Sequence, residues 1–305
     1  MNQSIPSRSP HPLCLRIAAA ALLGFFLSCA AAAQATPPDP VLHPAPESQQ
    51  PAQSKPPDPV LPPAPGAPLP DTPQAQQPAP KNAAEDQVTM LGIPRAVLHD
   101  QAAIWTSPIH IHDEDLVYLV PLGLTTALLM TTDHEVMSSS HLNDPSLNSH
   151  AVDASNGLVG GFIAAPLILW GVGHMHGNAH ATETGILGGL AMTDSIIVEQ
   201  VLKIASMRER PTVDNARGKF FQTSAGIDSS FPSSHSMVAW SSAAVIASEY
   251  RSPLTQIAAY GLATGVSFTR VLGREHFPSD VLVGSAFGWM IGRYVFHRHQ
   301  HTYDQ

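Results

Sequence analysis

The chain has 305 residues, 29 of them proline, with a formal net charge of −9 and two cysteines. A negative balance argues against a nucleic-acid binder. Both cysteines, Cys14 and Cys29, fall in an N-terminal segment that reads as removable. The mature chain is therefore expected to carry no disulfide, zinc–thiolate site or cysteine nucleophile.

Residues 1–35 read as a secretory signal peptide. Arg8 and Arg16 give a positive start, and Ile17 to Leu27 is a short apolar run. Ala31-Ala32-Ala33 and Ala33-Gln34-Ala35 both fit the small-residue cleavage pattern. Ser28-Cys29 faintly resembles a lipoprotein processing site, though Phe26 stands where an aliphatic residue is usual. Residues 36–89 read as a disordered Pro-rich linker. The unit PPDPVLHPAP at Pro37–Pro46 nearly repeats at Pro56–Pro65, which suits a semi-rigid polyproline II spacer. The folded domain is placed at 90–305.

Six helix-like apolar blocks follow: about Leu116–Thr132, Gly157–Gly173, Thr184–Ile204, Ser234–Tyr250, Thr255–Leu272 and Ser279–His297. Gly, Pro, Asn and Asp punctuate the gaps, and no alternating strand pattern appears. The expected fold is all-α, a six-helix bundle. The uncharged cores are mostly 13–17 residues, short for membrane spans. Asp194 and Glu199 interrupt the third block, a costly placement in lipid. A cleaved signal followed by three crossings would also leave Lys203 and Arg210 in the cytoplasm. These points favour an exported, periplasmic or envelope-associated soluble domain, with an integral membrane protein as the alternative.

The cations are unevenly spread. No Lys or Arg occurs between Ala96 and Leu202, whereas eight of the fifteen lie from Lys203 to Arg274. Such a cluster in an acidic chain suits an anionic ligand. Three short motifs organise it. Lys203-x6-Arg210-Pro211 closes the third block, with Arg210 suited to bidentate contact with phosphate oxygens. Pro232-Ser233-Ser234-His235 opens the fourth block. Ser233 suits an N-cap, and the free N–H groups of the following turn suit an anion beside His235. Thr269-Arg270-x5-His276-x3-Asp280 links the fifth and sixth blocks. Asp280, one helical turn from His276, is expected to accept a hydrogen bond from its ring and fix the tautomer.

These pieces fit one reaction. The cations neutralise a phosphoryl group, His276 attacks phosphorus, and His235 protonates the leaving oxygen. No metal or other cofactor is required, because Lys and Arg supply the charge stabilisation. Taken alone, each residue has a plainer reading as a helix end or a satisfied polar group; the conjunction carries the argument.

The three motifs resemble the signature of the type 2 phosphatidic acid phosphatase superfamily, which also holds bacterial acid phosphatases and vanadium haloperoxidases. That signature is K-x6-RP, PSGH and SR-x5-H-x3-D. The resemblance covers about Leu116 to Phe296. It implies His276 as nucleophile, Asp280 as its orienter and His235 as general acid. Lys203, Arg210, Ser233, Ser234 and Arg270 would hold phosphate. Ser234 departs from the Gly of the second motif, and Thr269 from the Ser of the third.

The substrate class stays open between a lipid phosphate, undecaprenyl pyrophosphate and a small soluble monoester. Two other functions compete. One is a vanadate-dependent haloperoxidase, with vanadate in place of phosphate. The other is a non-catalytic envelope-binding protein that uses the Pro-rich arm. Three histidine groups, His110/His112, His174/His176/His180 and His297/His299/His301, have spacings a metal could use, although polar loops explain them as well.

Overall fold

The computed structural model describes residues 92–300. The signal peptide, the Pro-rich linker, both cysteines and His301 lie outside the described residues. Seven α-helices and no strands make up the described chain. They are α1 (Ile93–Thr106), α2 (Asp113–Met137), α3 (Pro145–His176), α4 (Ala179–Ser206), α5 (Ser234–Glu249), α6 (Pro253–Leu272) and α7 (Pro278–His299). The six expected blocks coincide with α2 to α7, with Tyr250 one residue past the end of α5, and α1 adds a helix that the sequence reading did not expect.

Local chemistry sets the boundaries. Asp144 caps α3 by accepting from the N–H groups of Ser146 and Leu147, with Pro145 at the first position. Gly177, at φ 66°, ends α3 in the left-handed region that favours glycine. Asn178 then caps α4 and Ser252 caps α6. These caps lie beyond the apolar blocks, so the helices run well past them.

The centre of the fold is α5, which packs against α3, α4, α6 and α7. Its sequence is apolar or small on every side, as a helix enclosed by others requires. Met237, Trp240, Ala243 and Val245 have no exposed surface. Burying a side chain such as Met237 or Leu282 contributes about 1.5–3 kcal/mol. Trp240 keeps its indole N–H satisfied by donating to Ser267 Oγ at 3.1 Å. Against α5, α7 presents Gly284, Gly288 and Gly292, one turn apart. A Cβ at Gly288 would stand 2.3 Å from the Met237 carbonyl oxygen, and one at Gly284 would stand 2.6 Å from that of Ser233. The two backbones therefore approach as only glycine permits, bringing the start of α5 directly against the start of α7.

The outer helices differ. Much of the apolar surface of α2 and α3 faces outward, including Val117, Leu124, Leu167 and Ile168. Three helices, α2 (from Asp115), α3 and α4, are long and apolar enough to cross a membrane. This corrects the length objection to spans, because the capped helices exceed the apolar cores that define the blocks. The charge objection changes as well. Asp194 and Glu199 are both buried within the bundle, at 0% and 1% exposure, rather than turned outward. Asp194 accepts from Gln101 of α1 at 2.9 Å, and Glu199 pairs with Lys203 at 2.9 Å.

Candidate active site

Because the helices alternate in direction, α4 and α6 end where α5 and α7 begin. The three motifs occupy these four helix ends. Lys203 lies in the last turn of α4, Ser233 caps α5, and His235 sits in its first turn. Arg270 lies in the last turn of α6, and Asp280 in the first turn of α7. Arg210 belongs to the segment between α4 and α5, and His276 to the turn between α6 and α7.

The charges at these helix ends act on one another. Burial lowers His235 to about 4, and the charges of Arg270, Lys203 and Arg210 push it the same way. Burial also lowers His276 well below the ordinary histidine value, again reinforced by Arg270, Arg210 and Lys203. Both imidazoles thus feel the same three cations. Arg270 is itself drawn down to about 10, first by burial and then by Arg210, with Glu275 opposing. Burial comes first in holding these histidines neutral, and the cationic field that adds to it is one an anion would relieve.

His276 is 1% exposed, and its Nδ1 lies 2.7 Å from the Ser230 carbonyl oxygen. A carbonyl only accepts, so Nδ1 carries the hydrogen and Nε2 keeps its lone pair. The expected bond to Asp280 is not formed: its Oδ2 is 3.9 Å from Nδ1. The one-turn spacing brings the two close, but other donors claim the carboxylate. Arg208 Nη1 donates to Oδ1 at 2.5 Å, and the Phe277 N–H donates to Oδ2 at 2.9 Å. The Ser230 hydroxyl donates to Oδ2 as well. Ser230 therefore joins the pair, its hydroxyl on Asp280 and its carbonyl on His276. Burial pushes Asp280 up to about 6, against the pull of Arg208.

Arg208 was not anticipated. It is 2% exposed and bridges Asp280 to Asp133 of α2, donating to Asp133 Oδ2 at 2.7 Å and to Ser279 Oγ at 2.7 Å. Its guanidinium carbon lies 4.1 Å from the Phe277 ring centroid and 4.8 Å from that of Phe220. Burial pulls its proton affinity down, but Asp280 and Asp133 more than restore it. The only hint in the sequence was its place two residues before Arg210.

The remaining motif residues make the following contacts at these helix ends. Ser233 accepts from the Ser236 N–H with its side chain, as an N-cap should, and its own N–H donates to the Asp280 carbonyl oxygen at 3.1 Å. The Ser234 hydroxyl, absent from the family pattern, turns to Glu199 Oε1 at 2.5 Å. The same oxygen pairs with Lys203 Nζ at 2.9 Å. The Thr269 hydroxyl bonds back to the Gly265 carbonyl of its own helix at 2.8 Å. His235 Nε2 lies 2.9 Å from Asn156 Oδ1 of α3. Arg270 Nη1 donates to Ser155 Oγ at 3.1 Å, also on α3. Glu275 pairs with Arg210 at 2.9 Å and with Arg270 at 3.2 Å. Asn156 and Ser155 escaped the sequence reading because their partners are 79 and 115 residues away, whereas Glu199 and Glu275 lie four and five residues from Lys203 and Arg270, a spacing that could have signalled them.

Among the described residues, no three His, Asp or Glu side chains gather as a metal site. His180 pairs with Glu249 at 2.9 Å, and His299 with Asp100 at 2.8 Å.

Residues 184–304 match the family model of the PAP2 superfamily. All three motifs lie inside that stretch, whereas Asp133, Ser155 and Asn156 precede it. Over 65 residues the chain is 37% identical to the Lipid A 1-phosphatase of Porphyromonas gingivalis. That stretch covers 21% of this chain and 15% of the relative's length. No solved structure matches.

Proposed function

We propose, for a chain whose residues 184–304 match the PAP2-superfamily model, that the protein is a metal-independent phosphoric-ester hydrolase working through a phosphohistidine. The observation that carries this reading is that Glu199 ties Lys203 to Ser234 beside His235, while Glu275 ties Arg210 to Arg270 beside His276. His276 Nε2 attacks phosphorus and the P–O ester bond breaks. His235 passes a proton to the departing oxygen; its Nε2 already faces an oxygen acceptor in Asn156. Entry of the phosphate offsets the cationic field and raises His235 toward the protonated form this step needs. Neutral His235 then takes a proton from water as the water opens the P–N bond. Phosphate leaves and both rings return to their starting state.

The charge stabilisation comes from the three side chains and the first N–H groups of α5, so no metal is assigned a part. A lipid phosphate is the favoured substrate class. Its support is the outward apolar surface of α2 and α3, the three helices long enough to cross a membrane, and a relative named for lipid A. Membrane association at the cell envelope follows from the same features.

Phosphate release from p-nitrophenyl phosphate and from lipid phosphates in detergent, with chelator present, tests the reading. The expected result is turnover with a trapped phosphoenzyme that is stable to alkali and labile to acid. Activity that needs added zinc, or a phosphoenzyme retained by His276→Ala, would contradict it.

A further inference from the structure

Glu275 stands beside His276 in the chain, yet neither the motifs nor the proposed reaction uses it. Its carboxylate oxygen Oε2 lies between two guanidinium groups, 2.9 Å from Arg210 Nη1 and 3.2 Å from Arg270 Nη2. One anionic oxygen shared by two arginines is the contact a phosphoryl oxygen would make there. The backbone holds the residue in place. The Glu275 N–H donates to the Arg270 carbonyl at 3.1 Å, and the Glu275 carbonyl accepts from Arg210 Nη1 at 3.2 Å. Arg274 before it adopts φ 56°, which sets the turn. The side chain is nevertheless 32% exposed, whereas that of Arg270 is 6% exposed. The carboxylate can therefore swing toward water while the guanidinium beneath it stays. A second feature of Arg270 points the same way: its buried Nε–H has no partner in the described structure. An incoming tetrahedral anion, with more oxygens than a carboxylate, could satisfy that donor as well.

We propose that Glu275 is an internal counter-anion that closes the Arg210–Arg270 pair in the free protein and is displaced by the phosphate of the substrate. The inference rests on the phosphate-site reading above and adds an affinity-setting residue to it. Glu275 lowers the apparent affinity for every phosphoryl ligand, because each must first break its two ion pairs. It also keeps the two guanidinium groups apart in charge until substrate arrives.

The test is anion binding by the purified full chain, read by calorimetry with inorganic phosphate and orthovanadate, alongside the KM for p-nitrophenyl phosphate. Glu275→Gln removes the charge and keeps the shape. It is expected to bind both anions about three- to tenfold more tightly than the unaltered protein, with KM falling in parallel. Glu275→Asp keeps the charge on a shorter arm and gives an independent reading if the Gln variant folds poorly; it should tighten binding less. A Gln variant with weaker or equal anion binding would overturn the proposal and make Glu275 a permanent brace for the arginines. Tighter anion binding without hydrolysis would uphold the counter-anion and remove the catalytic reading alone. No anion binding by either folded protein would remove both.

Discussion

Arg208 and Arg210 are two residues apart in one segment and have opposite surroundings. Arg208 is sealed between Asp133 and Asp280 and roofed by Phe277 and Phe220. Arg210 has a side chain 26% exposed and holds Glu275, with the Asp228 carboxylate at the edge of its reach. The first has no capacity left for a ligand; the second can exchange its partner for one. The comparison shows that a cation's contribution at such a site depends on whether its counter-charges are fixed or replaceable. It also divides the site into a dry frame, Arg208–Asp133–Asp280–Ser279, and a reactive layer of Lys203, Arg210, Arg270 and the two histidines.

The sharpest break of that division is chemical. His276→Asn, which keeps much of the buried volume, should lower p-nitrophenyl phosphate turnover at least about a thousandfold while costing no more than about 1–2 kcal/mol of stability. A large loss of stability instead would move His276 into the frame. Arg208→Ala should do the reverse. It strands two buried carboxylates and should cost about 3–5 kcal/mol of stability, measured by chemical denaturation. Arg210→Ala should lower kcat/KM about a hundredfold and change stability by no more than about 1 kcal/mol. If the two arginine variants behaved alike, the comparison would collapse.

Packing supplies a smaller effect. Gly288→Ala puts a methyl where the Met237 carbonyl stands and should cost about 1–3 kcal/mol, with activity loss following the loss of fold. The gentlest probe is acid. His235 titrates near 4 in the folded chain and near 6.5 when unfolded. Between those values the unfolded imidazole binds more protons, so the His235 contribution to stability rises with pH across the window and is lost as pH falls through it, while Asp280, raised to about 6, contributes with the opposite sign. His235→Gln should flatten that slope in a series of melting curves; an unchanged slope would assign it wholly to other groups such as His276.

The reactive layer was legible in the sequence, and the frame was not. Lys203, Arg210, His235, Arg270 and His276 sit in short motifs whose spacing follows helix geometry, as do the cap Ser233 and, from the frame, Asp280. The N-cap role of Ser233 could be read from its neighbours alone. The frame depends on contacts that no local pattern encodes. Ser279 meets Asp133 from 146 residues away, and Arg208 reaches Asp280 across 72. The pairing of His276 with Asp280 shows the same limit in miniature. Helix periodicity placed them side by side, but competition from Arg208 and Ser230 decided which bond formed.

Helix number and length went astray for a different reason. Reading apolar runs misses the polar end turns that caps add, as at Asp144-Pro145. It also misses a helix such as α1, whose apolar stripe is interrupted by Asp100 and Gln101. Both residues turn inward, Asp100 to the partly buried His299 and Gln101 to the buried Asp194. Pro94 at the start of α1 was the readable sign.

The carbonyl of Ser230 has one further consequence. A peptide oxygen has no proton to gain or lose at any pH a cell experiences. The ring it steadies therefore keeps the same nitrogen facing outward in acid as in base, whatever the neighbouring carboxylate does. Orientation at this histidine is set by the main chain and is insulated from titration, so acidity can switch the ring's charge without turning the ring.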